Sequence, residues 1–112
     1  MYEERFMQIA YEEALLGVNQ NHGGPFGAVI VVDGKIVGRN HNRVLESKDP
    51  TAHAEVNAIR DASKSVNNFH LHGAVIYTTC EPCPMCMSAI YWAKIEQVFY
   101  CLDRFSQRAV FG

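Results

Sequence analysis

The chain has 112 residues, of which 48% are apolar, and a formal net charge of −2. These values are typical of one globular domain with one core. The negative net charge excludes an overall positive electrostatic field that would attract nucleic acid. No stretch reaches the roughly 18 to 20 consecutive apolar residues of a membrane-spanning helix, and the acidic N-terminus lacks an apolar signal core. We therefore expect a cytoplasmic protein without membrane contact, whose four cysteines are metal ligands or free thiols rather than disulfides.

The first predicted element is an amphipathic helix over residues 2–18. Four apolar side chains are expected to share one face of this helix: Phe6, Ile9, Ala10 and Leu16. Glu13 interrupts that face, so it is expected either to lie at the edge or to have a partner. A polar run rich in Asn and Gly then ends the helix.

A β-hairpin is predicted next. Residues 26–32 form a continuous apolar run, which favours a strand buried on both faces. Asp33-Gly34 is typical of a two-residue hairpin turn, and residues 35–40 form the returning strand. A polar loop follows over residues 41–49.

The second half of the chain alternates helices and strands. A helix is predicted to begin at residues 50–51 and to run to about residue 64. Residues 74–79 are rich in β-branched side chains, which predicts a strand. Residues 83–93 predict a helix and residues 97–102 a fourth strand. Because a helix joins the last two strands, we expect them to be parallel. The predicted order is α-β-β-α-β-α-β, with residues 103–112 polar and then weakly helical.

Two short motifs carry the candidate chemistry. The first is PTAHAE at residues 50–55, and the second is TCEPCPMC at residues 79–86. Together they read H-x-E followed by P-C-x-x-C, a pattern tied to zinc-dependent deamination of nucleobases. A catalytic zinc takes three protein ligands and leaves the fourth position to water. The pattern therefore predicts one zinc per chain, bound by His53, Cys83 and Cys86.

Glu55 is the predicted general acid/base. It lies two residues after His53, about 200° further round a helix, so it is near the ligand without having to be one. The two helices that carry the ligands begin beside strand ends, so their N-termini can meet at one point. The partial positive charge of helix N-termini favours thiolate ligands there.

A structural zinc site is the alternative, because such sites normally close with four protein ligands. A fourth ligand is available from Cys80, Cys101 or another histidine. Cys80 is the best of these, since it continues the three-residue spacing of Cys83 and Cys86. We interpret Cys80 instead as the last residue of a buried strand, with the zinc ligands on the turn that follows.

The sequence resembles the cytidine-deaminase superfamily over residues 23–101, and within it the short zinc-dependent guanine deaminases. The resemblance is carried by four segments: GPFGAVIV at 24–31, DPTAHAE at 49–55, CEPCPMC at 80–86 and AIYWA at 89–93. It implies a single domain over residues 1–112 with an α/β fold, a three-layer sandwich in which a mixed sheet has helices on both faces. Guanine deaminases of this type continue for several tens of residues, so this C-terminal part is expected to be short or missing here.

The resemblance implies hydrolytic deamination of a nucleobase, first of all guanine to xanthine and ammonia. Glu55 would take a proton from water and deliver protons to a ring nitrogen and to the leaving amine. The residues implied to contact the base are Phe26 and His53 by stacking, Asn42 and the Ala54 N–H by hydrogen bonds, and Trp92 as pocket wall. By position alone, Phe26 is also interpretable as a core aromatic, Trp92 as a core or dimer-interface residue, and Asn42 as a turn residue.

Other functions stay open. Cytosine and tRNA-adenosine deaminases share much of the pattern, and a tRNA substrate would need a basic groove. The candidates for such a groove are Arg39, Arg43, Lys94, Arg104 and Arg108. A function of another class is a catalytically silent zinc-binding subunit, which the short C-terminal part motivates.

We also expect a homodimer. A small domain with an open sheet edge leaves apolar surface that a second subunit can cover. Phe99, Phe105 and Phe111 are the aromatic residues expected in that surface. Related deaminases are commonly dimers, which agrees with this expectation.

Overall fold

Helices and strands alternate along residues 1–103, the part of the chain that the computed structural model describes. The elements within this part are α1 (Glu4–Asn19), β1 (Gly27–Val32), β2 (Lys35–His41), α2 (Val44–Ser47), α3 (Ala54–Val66), β3 (Ala74–Cys80), α4 (Pro84–Ala93) and β4 (Gln97–Leu102). Predictions that concern Arg104, Phe105, Arg108 and Phe111 lie outside the described residues.

The strands of the described chain form one mixed sheet in the order β2-β1-β3-β4. β1 pairs in antiparallel fashion with both β2 and β3, whereas β3 and β4 are parallel. The helix α4 makes the crossover connection that a parallel pair requires. The predicted mixed sheet and its parallel pair are therefore confirmed.

The predicted hairpin between β1 and β2 is also confirmed. Asp33 and Gly34 form its turn, and both have positive φ angles, 51° and 77°. Such a pair of positive φ values is characteristic of a type I′ turn, whose twist matches that of the flanking strands. The register of the hairpin shifts between Ile30 and Val31, and such a bulge bends and twists the strand.

Helices cover both faces of the sheet. Successive side chains of β1 point to opposite sides, so β1 contributes to the apolar cluster on each face. Val29 and Val31 pack on the side of α1, with a cluster made by Phe6, Met7, Ala10 and Tyr77. Ala28 and Ile30 pack on the other side, with a cluster that includes Ala54, Ala58 and Ala62 of α3 and Ile90 and Ala93 of α4. The predicted three-layer sandwich is confirmed, and α3 and α4 share one layer.

The apolar face of α1 differs from the prediction at one position. Leu16 is exposed, and Glu13 is buried in its place. Helical geometry explains the exchange, because Glu13 lies only about 20° round the helix from Phe6, whereas Leu16 lies about 80° away. The expected partner of Glu13 exists, since its carboxylate contacts both Arg39 and His41.

Two boundaries around the first motif differ as well. The helix predicted to open at residues 50–51 begins only at Ala54. The carboxylate of Asp49 accepts hydrogen bonds from the backbone N–H and the hydroxyl group of Thr51, which holds residues 49–51 in a turn. The predicted loop over residues 41–49 contains the short helix α2. None of the helices within residues 1–103 is both long and apolar enough to cross a membrane.

Candidate metal centre and active site

The candidate ligands lie at the N-terminal ends of two neighbouring helices. His53 precedes α3 and Cys83 precedes α4, each with extended backbone angles, and Pro84 is the first helical residue of α4. Cys86 lies on the first turn of α4 and is fully buried. Because α3 and α4 pack on the same face of the sheet, their N-terminal ends meet, as the sequence predicted.

The three ligand atoms are spaced as a tetrahedral zinc site requires. The Nδ1 atom of His53 lies 3.6 Å from Cys83 Sγ and 3.5 Å from Cys86 Sγ. Zinc bonds of about 2.0 Å to nitrogen and 2.3 Å to sulfur at a tetrahedral angle would hold nitrogen and sulfur about 3.5 Å apart. Within residues 1–103, no other group of three potential ligands comes together in this way. One imidazole and two thiolates thus fit zinc and leave its fourth position open.

Cys80 was the strongest rival ligand in the sequence. It is the buried last residue of β3, as interpreted, and it does not belong to the ligand group formed by the other three residues. Cys101 is exposed on β4. The open, three-ligand arrangement is therefore the one that the geometry supports.

The carboxyl group of Glu55 lies beside these ligands and is buried. Burial raises the pKa of Glu55, against the opposing effects of a backbone hydrogen bond, the attraction of His53 and a contact with the Cys86 thiol. Burial and the adjacent Glu55 carboxylate also raise the pKa of Cys86. Both groups therefore resist ionisation when no cation is near. A bound divalent cation reverses this for the thiol, since ligand thiols are held deprotonated by the metal.

A cavity of about 110 Å³ opens above the ligand group. Its walls are formed by Phe26, Gly27, Asn42, His53, Ala54, Glu55, Thr78, Thr79, Cys80, Glu81 and Cys83. Four of the five residues predicted to contact the base, Phe26, Asn42, His53 and Ala54, thus face the same space as Glu55. Ligand pockets typically measure about 300–1,000 Å³, so the described residues enclose room for a small ligand only.

The amide group of Asn42 is held in one orientation. Its Oδ1 accepts the backbone N–H of Val44 at 3.0 Å, and its backbone N–H donates to the carbonyl oxygen of Phe26 at 3.1 Å. The amide nitrogen is then the group that Asn42 can offer to a ligand as a donor. Gly24 packs under the ring of Phe26, where an added Cβ would approach a ring atom to 2.8 Å.

Trp92 does not line the cavity, which corrects the prediction that it shapes a purine-sized pocket. Its side chain is 71% exposed and packs edge-on against Tyr91. The reason is its place in α4: nine residues after Cys83, it lies about 13 Å further along the helix axis than the metal ligands.

Sequence reasoning missed several parts of the site. Thr78 and Thr79 line the cavity at the end of β3, and the Thr79 hydroxyl accepts the Gly27 N–H at 3.2 Å. Their signal was their place at the end of a buried strand, where Thr79 opens the second motif and Thr78 directly precedes it. His22, in the loop after α1, contacts His41 next to Asn42 through ring nitrogens 2.8 Å apart, and no local pattern in the sequence indicates that contact.

Fold and site together define a zinc-binding α/β domain. Residues 1–102 match the family model for the cytidine and deoxycytidylate deaminase zinc-binding region. The chain therefore belongs to this family, as its motifs predicted, and zinc is its metal.

Individual relatives agree with this assignment. The chain is 52% identical to the guanine deaminase of Bacillus subtilis (strain 168) over 103 residues, which cover 92% of this chain and 66% of that protein. It is 43% identical to the tRNA-specific adenosine deaminase of Aquifex aeolicus over 105 residues, which cover 93% and 69%. The X-ray structure of the Bacillus subtilis guanine deaminase superposes with a TM-score of 0.94 at 49% identity, over 99% of this chain and 71% of that one. The chain thus spans about two thirds of the length of these relatives.

Proposed function

We propose that this chain catalyses the hydrolytic deamination of guanine to xanthine and ammonia. The observation that carries the proposal is the buried carboxyl group of Glu55, which touches the Cys86 thiol and faces the cavity. Glu55 is not needed as a ligand, so it is free to move protons. The 52% identity with a guanine deaminase supports guanine as the first substrate.

In this mechanism His53, Cys83 and Cys86 hold the zinc ion. When bound, zinc lowers the pKa of its water to about 7 and so supplies a nucleophile near neutral pH. Glu55 accepts a proton from the attacking water and gives it to a ring nitrogen, then takes the second proton of that water and gives it to the departing amine. A C–O bond forms, the C–N bond breaks, and ammonia leaves. Burial suits Glu55 to this task, because a raised pKa lets a carboxyl group hold a proton closer to neutral pH.

The remaining cavity residues would orient the base. The rings of Phe26 and His53 offer stacking surfaces for a planar heterocycle. The amide nitrogen of Asn42 would donate to a carbonyl oxygen or a ring nitrogen of the base. Ala54 is the first residue of α3, so its backbone N–H has no acceptor within the helix and can donate to the ligand.

Deamination of adenosine in tRNA is the second candidate, supported by the 43% identity with a tRNA-specific enzyme. The charges within the described residues weigh against it. Arg39 is paired with Glu13, and Arg43 with Glu46. Lys94 lies over the ring of Tyr91. These cations are engaged within the chain, whereas a nucleic-acid groove needs them to face phosphates. Cytosine is the third candidate substrate.

We also propose that the chain is a homodimer of the cytoplasm that acts in purine metabolism. Tyr91 and Trp92 are large aromatic residues exposed side by side on α4, as at the centre of many protein interfaces. Thiolate zinc ligands favour a reducing compartment such as the cytoplasm.

The proposed activity is tested by ammonia release from guanine, cytosine, adenine and an adenosine-bearing tRNA stem-loop, at saturating zinc. Zinc content is measured on the same sample. The proposal is supported if guanine is turned over fastest. If the stem-loop or cytosine is turned over fastest, guanine is not the preferred substrate and the proposal is wrong on that point. One bound zinc without turnover of any substrate would instead support a catalytically silent subunit.

A further inference from the structure

A row of four side chains, here called the histidine bridge, joins α1 to α2 behind the cavity. Glu13 Oε1 lies 2.8 Å from Nδ1 of His41, and Nε2 of His41 lies 2.8 Å from Nδ1 of His22. The row ends where Nε2 of His22 lies 3.0 Å from Glu46 Oε2. The two rings are nearly parallel, with an interplanar angle of 18° and centroids 5.0 Å apart, so they meet edge to edge through this contact. The side chain of His41 is only 1% exposed.

Hydrogen bonds hold the histidine bridge at both ends. Carboxylates only accept, so Nδ1 of His41 donates to Glu13 and Nε2 of His22 donates to Glu46. Arg43 Nη1 also lies 3.3 Å from Nδ1 of His22, where the guanidinium can donate to that nitrogen.

The histidine bridge is tied to Asn42 through the backbone around it. The carbonyl oxygen of His22 accepts the N–H groups of Leu45 and Glu46, both at 3.0 Å, and so holds the first turn of α2. The same turn provides the Val44 N–H that binds Oδ1 of Asn42. Displacement of His22 would therefore move the donor that orients the Asn42 amide.

Gly23 gives a second, steric link. A Cβ atom added to Gly23 would lie 2.0 Å from Oδ1 of Asn42, so the backbone after His22 is pressed directly against this amide. The loop that carries His22 thus forms one wall behind Asn42.

The metal side is linked to the same point by Asn57. Its Nδ2 atom donates to the carbonyl oxygens of His41, at 3.0 Å, and Ala52, at 3.2 Å. These carbonyl groups belong to the residues immediately before Asn42 and His53. The backbone that presents Asn42 is therefore fixed relative to the backbone that presents the metal ligand.

We propose that His22 and His41 are positioning residues, which hold the Asn42 amide at the distance from the metal centre that base binding requires. The inference rests on the proposed function, in which Asn42 donates to the base. His22 and His41 touch no substrate; they act through Asn42. Their loss should weaken base binding while leaving the metal ligands and Glu55 in place.

The test uses the zinc-loaded chain with His22→Phe, which keeps an aromatic ring but removes both ring nitrogens. His70→Phe is the matched control, since His70 lies before β3 and contacts Phe69 and His72 instead. The first readout is the ¹H–¹⁵N NMR signal of the Asn42 side-chain amide without substrate. It should shift in His22→Phe and stay unchanged in His70→Phe. An unchanged Asn42 signal in His22→Phe, with zinc retained, overturns the proposal.

The second readout is kinetic. His22→Phe should raise KM for guanine about tenfold with kcat nearly unchanged. This pattern is expected when the bound substrate and the transition state lose the same amount of binding energy. In an Asn42→Ala background the same change should add less than about twofold, because two residues that act through one contact are not additive. His22→Asn, which keeps an acceptor near His41, should recover part of the loss. A full tenfold effect in the Asn42→Ala background contradicts the proposal. If no base is turned over at all, the proposed function fails, and the NMR readout still decides this inference.

Discussion

The Nδ1 atom of His53 lies 3.5 Å from Sγ of Cys86, although 33 residues separate them and each sits at the start of a different helix. The contact exists only when α3 and α4 are both docked on the same face of the sheet. A metal that binds these atoms therefore binds the folded chain and not the unfolded one. Metal affinity and fold stability are linked for this reason.

The first prediction concerns the ligand set. Cys83→Ala and Cys86→Ala should each lose most of the bound zinc and lower the thermal midpoint, because zinc no longer stabilises the folded state. Cys80→Ala is the matched control, since Cys80 lines the cavity without belonging to the ligand group. Zinc content by elemental analysis and thermal unfolding by circular dichroism measure both effects. Zinc that is retained in Cys86→Ala but lost in Cys80→Ala would make Cys80 a ligand.

Much of the fold and the metal site could be predicted because their signals are local. C-x-x-C with a proline at the helix start places two ligands within one turn of α4. Asp33-Gly34 fixes a hairpin turn from two residues. The apolar run before it is buried on both sides in the structure, as such runs usually are.

The parts that could not be predicted depend on contacts distant in sequence. The short helix α2 is held by the carbonyl oxygen of His22, more than twenty residues earlier, and a single turn has little stability of its own. The pairing of Glu13 with His41 likewise appears only once α1 lies against β2. The prediction that Trp92 lines the pocket was wrong, because closeness in sequence to the metal ligands does not place a residue at the end of the helix that faces the cavity.

The second prediction concerns Glu13 and acid stability. Burial alone would raise the pKa of the Glu13 carboxyl group, but hydrogen bonds from His41 and Arg39 outweigh it and hold the pKa below its ordinary value. A lowered pKa in the folded state stabilises the fold above the ordinary pKa of about 4.3, and this stabilisation is lost as pH falls through the lowered pKa. Glu13→Gln should therefore lower the free energy of unfolding at pH 7 by about 2 kcal/mol, as expected when a buried carboxylate loses its charge-assisted hydrogen bonds and Arg39 is partly exposed.

Urea unfolding of Glu13→Gln and the unmutated chain, followed from pH 7 to pH 3, measures this effect. The difference between the two proteins should shrink as pH falls below the ordinary pKa of about 4.3, where the unfolded chain binds a proton that the native carboxylate does not yet bind. Glu12→Gln is the control, because Glu12 is exposed and lies 4.0 Å from Arg39. A difference that stays constant over the whole pH range would show that the charge of Glu13 contributes nothing.

The third prediction concerns assembly. If α4 lies at a dimer interface, light scattering should give about twice the chain mass of 12.6 kDa. Trp92→Ser should shift the population toward the monomer, since aromatic side chains often contribute most of the energy at interfaces. Leu15→Ser is the control, because Leu15 is similarly exposed, at 62%, but lies on α1, which covers the opposite face of the sheet from α4. A mass of about 12.6 kDa for the unmutated chain at working concentration would refute the dimer.

The last prediction separates the enzyme from a silent zinc-binding subunit. Glu55 is adjacent to the ligand group but is not part of it, so Glu55→Gln should keep one zinc per chain. The side-chain amide of the introduced glutamine cannot accept a proton from water or donate one to the base. Deamination of guanine should therefore fall by about 10²–10⁴-fold, the usual contribution of a general acid/base. Without metal, burial raises the pKa of Glu55, so removing its charge should not destabilise the metal-free chain, and metal-free Glu55→Gln should unfold no earlier than the metal-free unmutated protein. Glu12→Gln serves again as the control, with turnover unchanged. Turnover of guanine that persists in Glu55→Gln would refute the proton-transfer role, because the reaction would then not depend on the Glu55 carboxylate.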